Sequence, residues 1–117
     1  MKVALLTNAS GAHISAYLPA LAAAKDCDEV VLADPDKRWV EDAKKVLGDK
    51  LTRTYVSHSE LLAQESPRLC MVSIEAKHAP PIVEAALNMG AHVFAEKPAC
   101  VSLDEFEKLA NLAESKH

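Results

Sequence analysis

With 117 residues, the chain has room for one small domain. Half of its residues are hydrophobic and 26% are charged, a globular composition rather than a disordered one. Thirteen basic against seventeen acidic residues leave a net charge of −4. That balance excludes a general nucleic-acid or anionic-membrane binder, and 4% aromatic residues leave no platform for stacking bases.

The apolar run behind Met1-Lys2 covers residues 3–6 and stops at Thr7-Asn8, too short for a secretory leader. No stretch approaches the ~18 apolar residues of a membrane span. Cys27, Cys70 and Cys100 are far apart and in no metal-binding spacing, which predicts a reduced, cytoplasmic setting. The five histidines include no helical i, i+4 pair, so no metal site is expected.

In chain order, short apolar runs alternate with amphipathic ones. The runs at residues 3–6, 30–33, 69–74 and 92–95, with a weaker one at 54–56, are continuous, as in parallel strands covered on both faces. Asp34-Pro35 reads as N-cap and first-turn proline of a helix whose stripe is Val40, Ala43, Val46 and Leu47, with Gly48 closing it. Pro80-Pro81 opens another, with Ile82, Val83, Ala86 and Leu87 inward and Gly90 at its end. Ser102 and Glu105 form a capping box ahead of Phe106, Leu109, Ala110 and Ala113, and this last helix runs to His117. Five βα units predict an α/β fold: a doubly wound parallel sheet, Rossmann-like, in strand order 3-2-1-4-5. A full dinucleotide-binding fold has six strands, so residues 1–117 read as one dinucleotide-binding domain cut before its sixth strand.

Ligands of such sheets bind beyond the carboxyl ends of the strands, where the strand order reverses. After strand one comes Thr7-Asn8-Ala9-Ser10-Gly11-Ala12-His13. Against the G-x-G-x-x-G/A fingerprint, Thr7 and Ala9 stand in for the first two glycines and Ala12 fits the last. Small residues at positions 8–12 still leave the backbone accessible ahead of a helix N-terminus, which suits an anion. The same loop is also readable as an ordinary βα turn. Asp34 lies 22 residues beyond Ala12, where a carboxylate accepts an adenosine ribose diol. It doubles as the cap just described. Lys37 and Arg38 would suit a 2′-phosphate, but Asp34 would repel one, so NAD is favoured and NADP is the alternative. Pro98 extends the backbone before it, which keeps Lys97 strand-like at the carboxyl edge of the sheet, able to polarise a substrate oxygen or move a proton.

The run from Ala85 to Pro98, AALNMGAHVFAEKP, resembles the A-L-x-x-G-x-H-V-x-x-E-K-P signature of the Gfo/Idh/MocA oxidoreductases. Lys2-Val3-Ala4, His13, Ala33-Asp34-Pro35-Asp36 and His78 agree in order and place, so the resemblance covers essentially the whole chain. It implies a domain that binds NAD(P), with a second, C-terminal domain, absent from this chain, reading a sugar, cyclitol or related hydroxy or carbonyl substrate. It also implies that Lys97 stands beside nicotinamide and substrate, and that Glu96 and His78 line the cofactor cleft. Two local departures predict weak NAD binding. The loop after strand one is about two residues shorter than the family spacing, and Glu75-Ala76-Lys77-His78 puts a carboxylate near the cofactor phosphates. Self-association through an unpaired strand-five edge is also expected.

Two other classes compete. A non-catalytic binding or regulatory module of the same fold would share the degraded loop. A signalling receiver domain would share the length and a Lys-Pro after strand five, but it needs clustered acids after strand one to hold Mg²⁺. Thr7-Asn8-Ala9-Ser10 and Ser57-His58 occupy the diagnostic places, and the receiver reading fails on them.

Overall fold

The computed structural model describes residues 1–116. Five parallel strands, β1 (Lys2–Thr7), β2 (Glu29–Ala33), β3 (Leu51–Tyr55), β4 (Leu69–Ser73) and β5 (His92–Ala95), form one sheet in the order β3-β2-β1-β4-β5. The crossovers are α1 (Ile14–Ala23), α2 (Val40–Leu47), α3 (His58–Gln64) and α4 (Ala79–Asn88), and α5 (Leu103–Ser115) follows β5. The predicted doubly wound architecture and strand order are what the chain adopts.

Side chains alternate across each strand, so the sheet divides its apolar residues between two cores. Val3, Leu5, Val30 and Leu32 meet Ile14, Leu18 and Leu21 of α1 and Ala43 and Leu47 of α2. Ala4, Leu6, Val31, Cys70 and Val72 meet Leu61 of α3 and Val83, Ala86 and Leu87 of α4. Because β1, β2 and β4 are covered on both faces, their sequences read as unbroken apolar runs. The two edge strands differ. β3 lies earlier than residues 54–56 and exposes Thr52, Arg53 and Thr54, while Val56 falls outside it, half exposed. β5 has the predicted bounds but is not covered on both faces, since Phe94 is 50% exposed.

Three helix expectations need correction. α2 starts at Val40, not Pro35: residues 35–38 form a turn with Lys37 at φ 55°, and Val46 points out. Asp34 caps that turn, accepting the Asp36 amide on Oδ1 at 3.1 Å and the Trp39 amide on Oδ2 at 2.8 Å. The Ser102 capping box forms, its hydroxyl accepting the Glu105 amide at 3.0 Å. α5 nevertheless buries no residue fully: Leu109, Leu112 and Ala113 rest on the core, while Phe106 stays 54% exposed. His117, the predicted end of that helix, lies outside the described residues. Pro80 and Pro81 occupy the first turn of α4, where missing amides cost nothing.

Candidate functional site

The order of connection reverses between β1 and β4, and the segments leaving their carboxyl ends converge there. Thr7, the last residue of β1, is fully buried, and its hydroxyl donates to the Ser73 carbonyl of β4 at 2.9 Å. Its side chain packs beneath the loop, with Oγ1 also 3.3 Å from the Asn8 carbonyl, and being fully buried it presents no atom to a ligand. The position that demands glycine is Gly11. A Cβ there would overlap Thr7 Oγ1 and come within 2.8 Å of the Ser73 carbonyl.

Residues 8–12 form a tight turn in which Gly11 donates its amide to the Asn8 carbonyl at 3.0 Å. The Ser73 hydroxyl holds the far side through the Ala12 carbonyl at 2.7 Å. Two of the loop amides already have oxygen acceptors from side chains. Ala9 donates to Asp36 Oδ2 at 2.8 Å, and Ser10 donates to Asn8 Oδ1 at 3.0 Å. Asn8 Nδ2 in turn reaches Glu75 Oε2 at 3.2 Å. The Ser10 and Asn8 side chains hold the Glu75 carboxyl below its ordinary range, so it stays charged beside the loop. His78 precedes α4, exposed, with Nε2 3.9 Å from Glu75. Trp39 closes the other flank, its indole donating to the Asn8 carbonyl at 3.1 Å.

Asp34 does not fit the ribose role expected of it. It is fully buried with both oxygens on backbone amides, so its carboxylate has no exposed atom to offer. Asp36, two residues on, is the exposed acid against the loop. The signal for it was present in Ala33-Asp34-Pro35-Asp36, but only the turn geometry distinguishes the two acids. Arg38 lies with its guanidinium 4.6 Å over the Trp39 ring, an exposed cation on the rim. His58 is a contact that sequence reasoning missed. Its Nε2 lies 2.6 Å from the Thr7 carbonyl, which ties α3 to the root of the loop.

The bend after β5 forms the other wall. β5 ends at Ala95, and Lys97 stands beyond it in that bend, exposed, rather than as a strand residue. The Lys97 ammonium has no partner among the described residues. Glu96 is held in place: its amide donates to the Val72 carbonyl at 2.8 Å, and its carboxylate accepts hydrogen bonds from Tyr17 and the Lys97 amide. Tyr17, His13 and the Lys97 amide, in that order, hold the Glu96 carboxyl down to about 2. The structure thus joins residues 8–12, Asp36, Glu75 and His78 around the β1 loop, and brings Glu96, next to Lys97, onto His13 and Tyr17 where that loop enters α1.

Residues 9–117 match the family model described as "Oxidoreductase family, NAD-binding Rossmann fold" (GFO_IDH_MocA). The chain belongs to this family. Among curated proteins of the family's kind, the chain is 31% identical over all 117 residues to "Uncharacterized oxidoreductase C26H5.09c" of Schizosaccharomyces pombe, 31% of whose length it covers. Its fold is that of a Gfo/Idh/MocA family oxidoreductase from Vibrio cholerae (TM-score 0.82, 24% identity, 100% of this chain and 36% of that one). It also matches the myo-inositol 2-dehydrogenase of Lactobacillus plantarum (TM-score 0.74, 21% identity, 99% and 33%). The chain spans about a third of the length of each of these relatives.

For this family the question is whether the residues present fit a dinucleotide. The loop lies at the β1/β4 switch point, carries no side chain larger than Asn8 through Ala12, and leads into the N-terminus of α1, where His13 supplies no side-chain cap. They fit, with two carboxylates, Asp36 and Glu75, as the local departure. No cluster able to hold a metal occurs among the described residues. No described helix is long and apolar enough to cross a membrane.

Proposed function

We propose that residues 1–117 form the NAD-binding unit of an oxidoreductase that moves a hydride between the nicotinamide and a sugar, cyclitol or related hydroxy or carbonyl compound. When bound, the cofactor supplies the hydride chemistry, and the protein supplies orientation and proton handling. A second domain outside this chain would read the small-molecule substrate, and a reducing, cytoplasmic setting suits the free thiols of Cys27, Cys70 and Cys100. A homo-oligomer built through that fuller chain completes the proposed assembly.

Ala9, Ser10 and Ala12 would present amides to the pyrophosphate, with Asn8 moving off Ser10 and Asp36 moving off Ala9 to make room, while Gly11 holds the turn through its amide on the Asn8 carbonyl. Asp36, once freed, is placed to accept the adenosine ribose diol in place of Asp34. Its charge favours NAD over the 2′-phosphorylated cofactor, with Lys37 and Arg38 as the counterweights beside it. Lys97 would bind the substrate oxygen or relay its proton, and Glu96 and His78 would flank the cleft.

The observation that carries this reading is the small-residue loop at the switch point, with the Glu96-Lys97 bend tied to its far end through His13. Glu75 and Asp36 favour a second reading, a non-catalytic module of the same fold in which carboxylates have taken the place of a cofactor phosphate. Calorimetric titration separates the two. Saturable one-to-one NADH binding, micromolar or weaker, is expected from the first reading, and no heat of binding from the second.

A further inference from the structure

Glu96 is gripped from an element that shares no strand with it. Tyr17 Oη, from the first turn of α1, donates to Glu96 Oε2, and His13 Nδ1 lies 3.0 Å from the same oxygen. The other oxygen, Oε1, accepts the Lys97 amide at 3.0 Å. The carboxylate is only 11% exposed. Tyr17 is fixed in turn, meeting Phe94 edge-on at 5.9 Å between centroids and His13 at 6.3 Å. His13 is a non-glycine residue at φ 61°, placed one residue after Ala12 and one before α1. Such a conformation carries a cost and persists only where its surroundings hold it.

We propose that Tyr17 and His13 are positioning residues that, by gripping Glu96, fix where Lys97 stands relative to the nicotinamide end of a bound dinucleotide. This rests on the dinucleotide-binding reading. Lys97 has a flexible stem and an ammonium with no partner among the described residues, so its reach is set by its backbone. That backbone is pinned by the Glu96 amide on Val72 and by the Glu96 carboxylate on the Lys97 amide. The carboxylate can turn away only by leaving Tyr17 and His13. Burial and then Glu96 push the Tyr17 phenol up to about 12, while Glu96 is held down to about 2, so around neutrality the pair stays phenol donor to carboxylate acceptor. The same grip joins the loop after β1 to the bend after β5, the two walls of the cleft.

A contact that only glued α1 to β5 would weaken binding of the whole dinucleotide, or none of it. A positioning contact affects the nicotinamide half alone. Tyr17→Phe removes the hydroxyl and keeps the ring against Phe94, and Glu96→Gln keeps the shape and removes the charge. Each is titrated as the full chain with NADH and with ADP-ribose, which lacks the nicotinamide. Hydrogen exchange of the Lys97 amide is followed in the ligand-free proteins. The expected result is an NADH affinity lowered about three- to tenfold, the scale of one hydrogen bond, with ADP-ribose unchanged. The Lys97 amide should exchange faster while β1 and β4 amides keep their protection. Equal loss of both ligands, an unchanged NADH affinity, an unchanged Lys97 amide, or a wild type that binds NADH no better than ADP-ribose would each overturn the positioning role alone. A wild type that binds neither ligand overturns the dinucleotide reading and this inference with it.

Discussion

The loops leaving β1 and β5 meet where His13 and Tyr17 touch Glu96, yet they are built in opposite ways. The β1 loop is sealed: Thr7 is buried, Gly11 has no room for a side chain, and the Ala9 and Ser10 amides are held by Asp36 and Asn8. The β5 bend is open: Lys97 has no partner among the described residues, Val101 and Leu103 are each 71% exposed, and the polar contact that reaches α1 is the Glu96 carboxylate on Tyr17 and His13. One wall is fixed by packing and the other by a few polar contacts. A substitution in the packed floor of the first, at Gly11 or Thr7, should therefore cost the most stability, and one at an exposed group of either should act chiefly on ligand selection or association.

The largest effect is expected from Gly11→Ala. The added methyl must displace Thr7 Oγ1 and the Ser73 backbone, and overpacking of that kind costs about 1–3 kcal/mol. Urea unfolding should show a lowered midpoint with an unchanged slope. Combining it with Thr7→Ala should recover part of the loss, because the overlap with Oγ1 disappears while that with the Ser73 carbonyl remains. A Gly11→Ala chain as stable as wild type would mean that the loop is not sealed.

Asp36→Ala should leave stability within about 0.5 kcal/mol, as for exposed side chains generally, and should act on ligand choice. It frees the Ala9 amide and removes a negative charge from the ribose side of the loop. The ratio of NADPH to NADH affinity should rise about tenfold. Asp34→Ala, by contrast, should destabilise, since it removes a fully buried carboxylate that is the acceptor for two part-buried amides. If the two variants trade these phenotypes, the ribose role returns to Asp34.

These two acids show where sequence reasoning stops. The strand order, the two cores and the proline start of α4 were legible because β1, β2 and β4 are buried on both faces and their composition says so. The acids of Ala33-Asp34-Pro35-Asp36 were not separable, because their roles depend on a turn containing Lys37 at positive φ, which its residue type does not advertise. Thr7 meets the same limit. Aligned on a glycine pattern it stands in for a loop glycine, whereas it is the last residue of β1, fully buried with its hydroxyl on the Ser73 carbonyl. Phe106 shares its apolar spacing with Leu109 and Ala113 yet stays exposed, because α5 follows an edge strand and has little sheet to cover. Tyr17 carried no motif at all, and its contact with Glu96 spans 79 residues.

The open wall offers a smaller test. Phe106→Ser should change the unfolding midpoint little, because more than half of the ring already meets solvent. Beside it lies the free side of β5, an unpaired edge of the kind that invites association. Sedimentation at high concentration should show self-association in the wild type and less of it in Phe106→Ser. A wild type that stays monomeric removes the edge as an association surface.

The smallest expected effect is the acid response of the single carboxylate that spans the cleft. In the folded chain Glu96 sits at about 2, below the 4.5 of an ordinary glutamate, chiefly because Tyr17 and then His13 donate to its charged form. A carboxyl whose folded value is depressed stabilises the fold fully above its unfolded value, and that contribution disappears as pH falls through the folded one. Glu65, buried against Lys2 and Tyr55, is shifted the same way, so the wild type alone would not isolate Glu96. Glu96→Gln supplies the reference, since it retains an acceptor oxygen but cannot carry the charge. The difference in urea midpoint between the two proteins should stay constant above the ordinary carboxylate range and shrink as pH falls from about 4.5 towards about 2. A difference that holds constant through that window would mean that Tyr17 and His13 touch Glu96 without favouring its charge, and the β5 wall would then lack the one polar tie that sets it apart from a free loop.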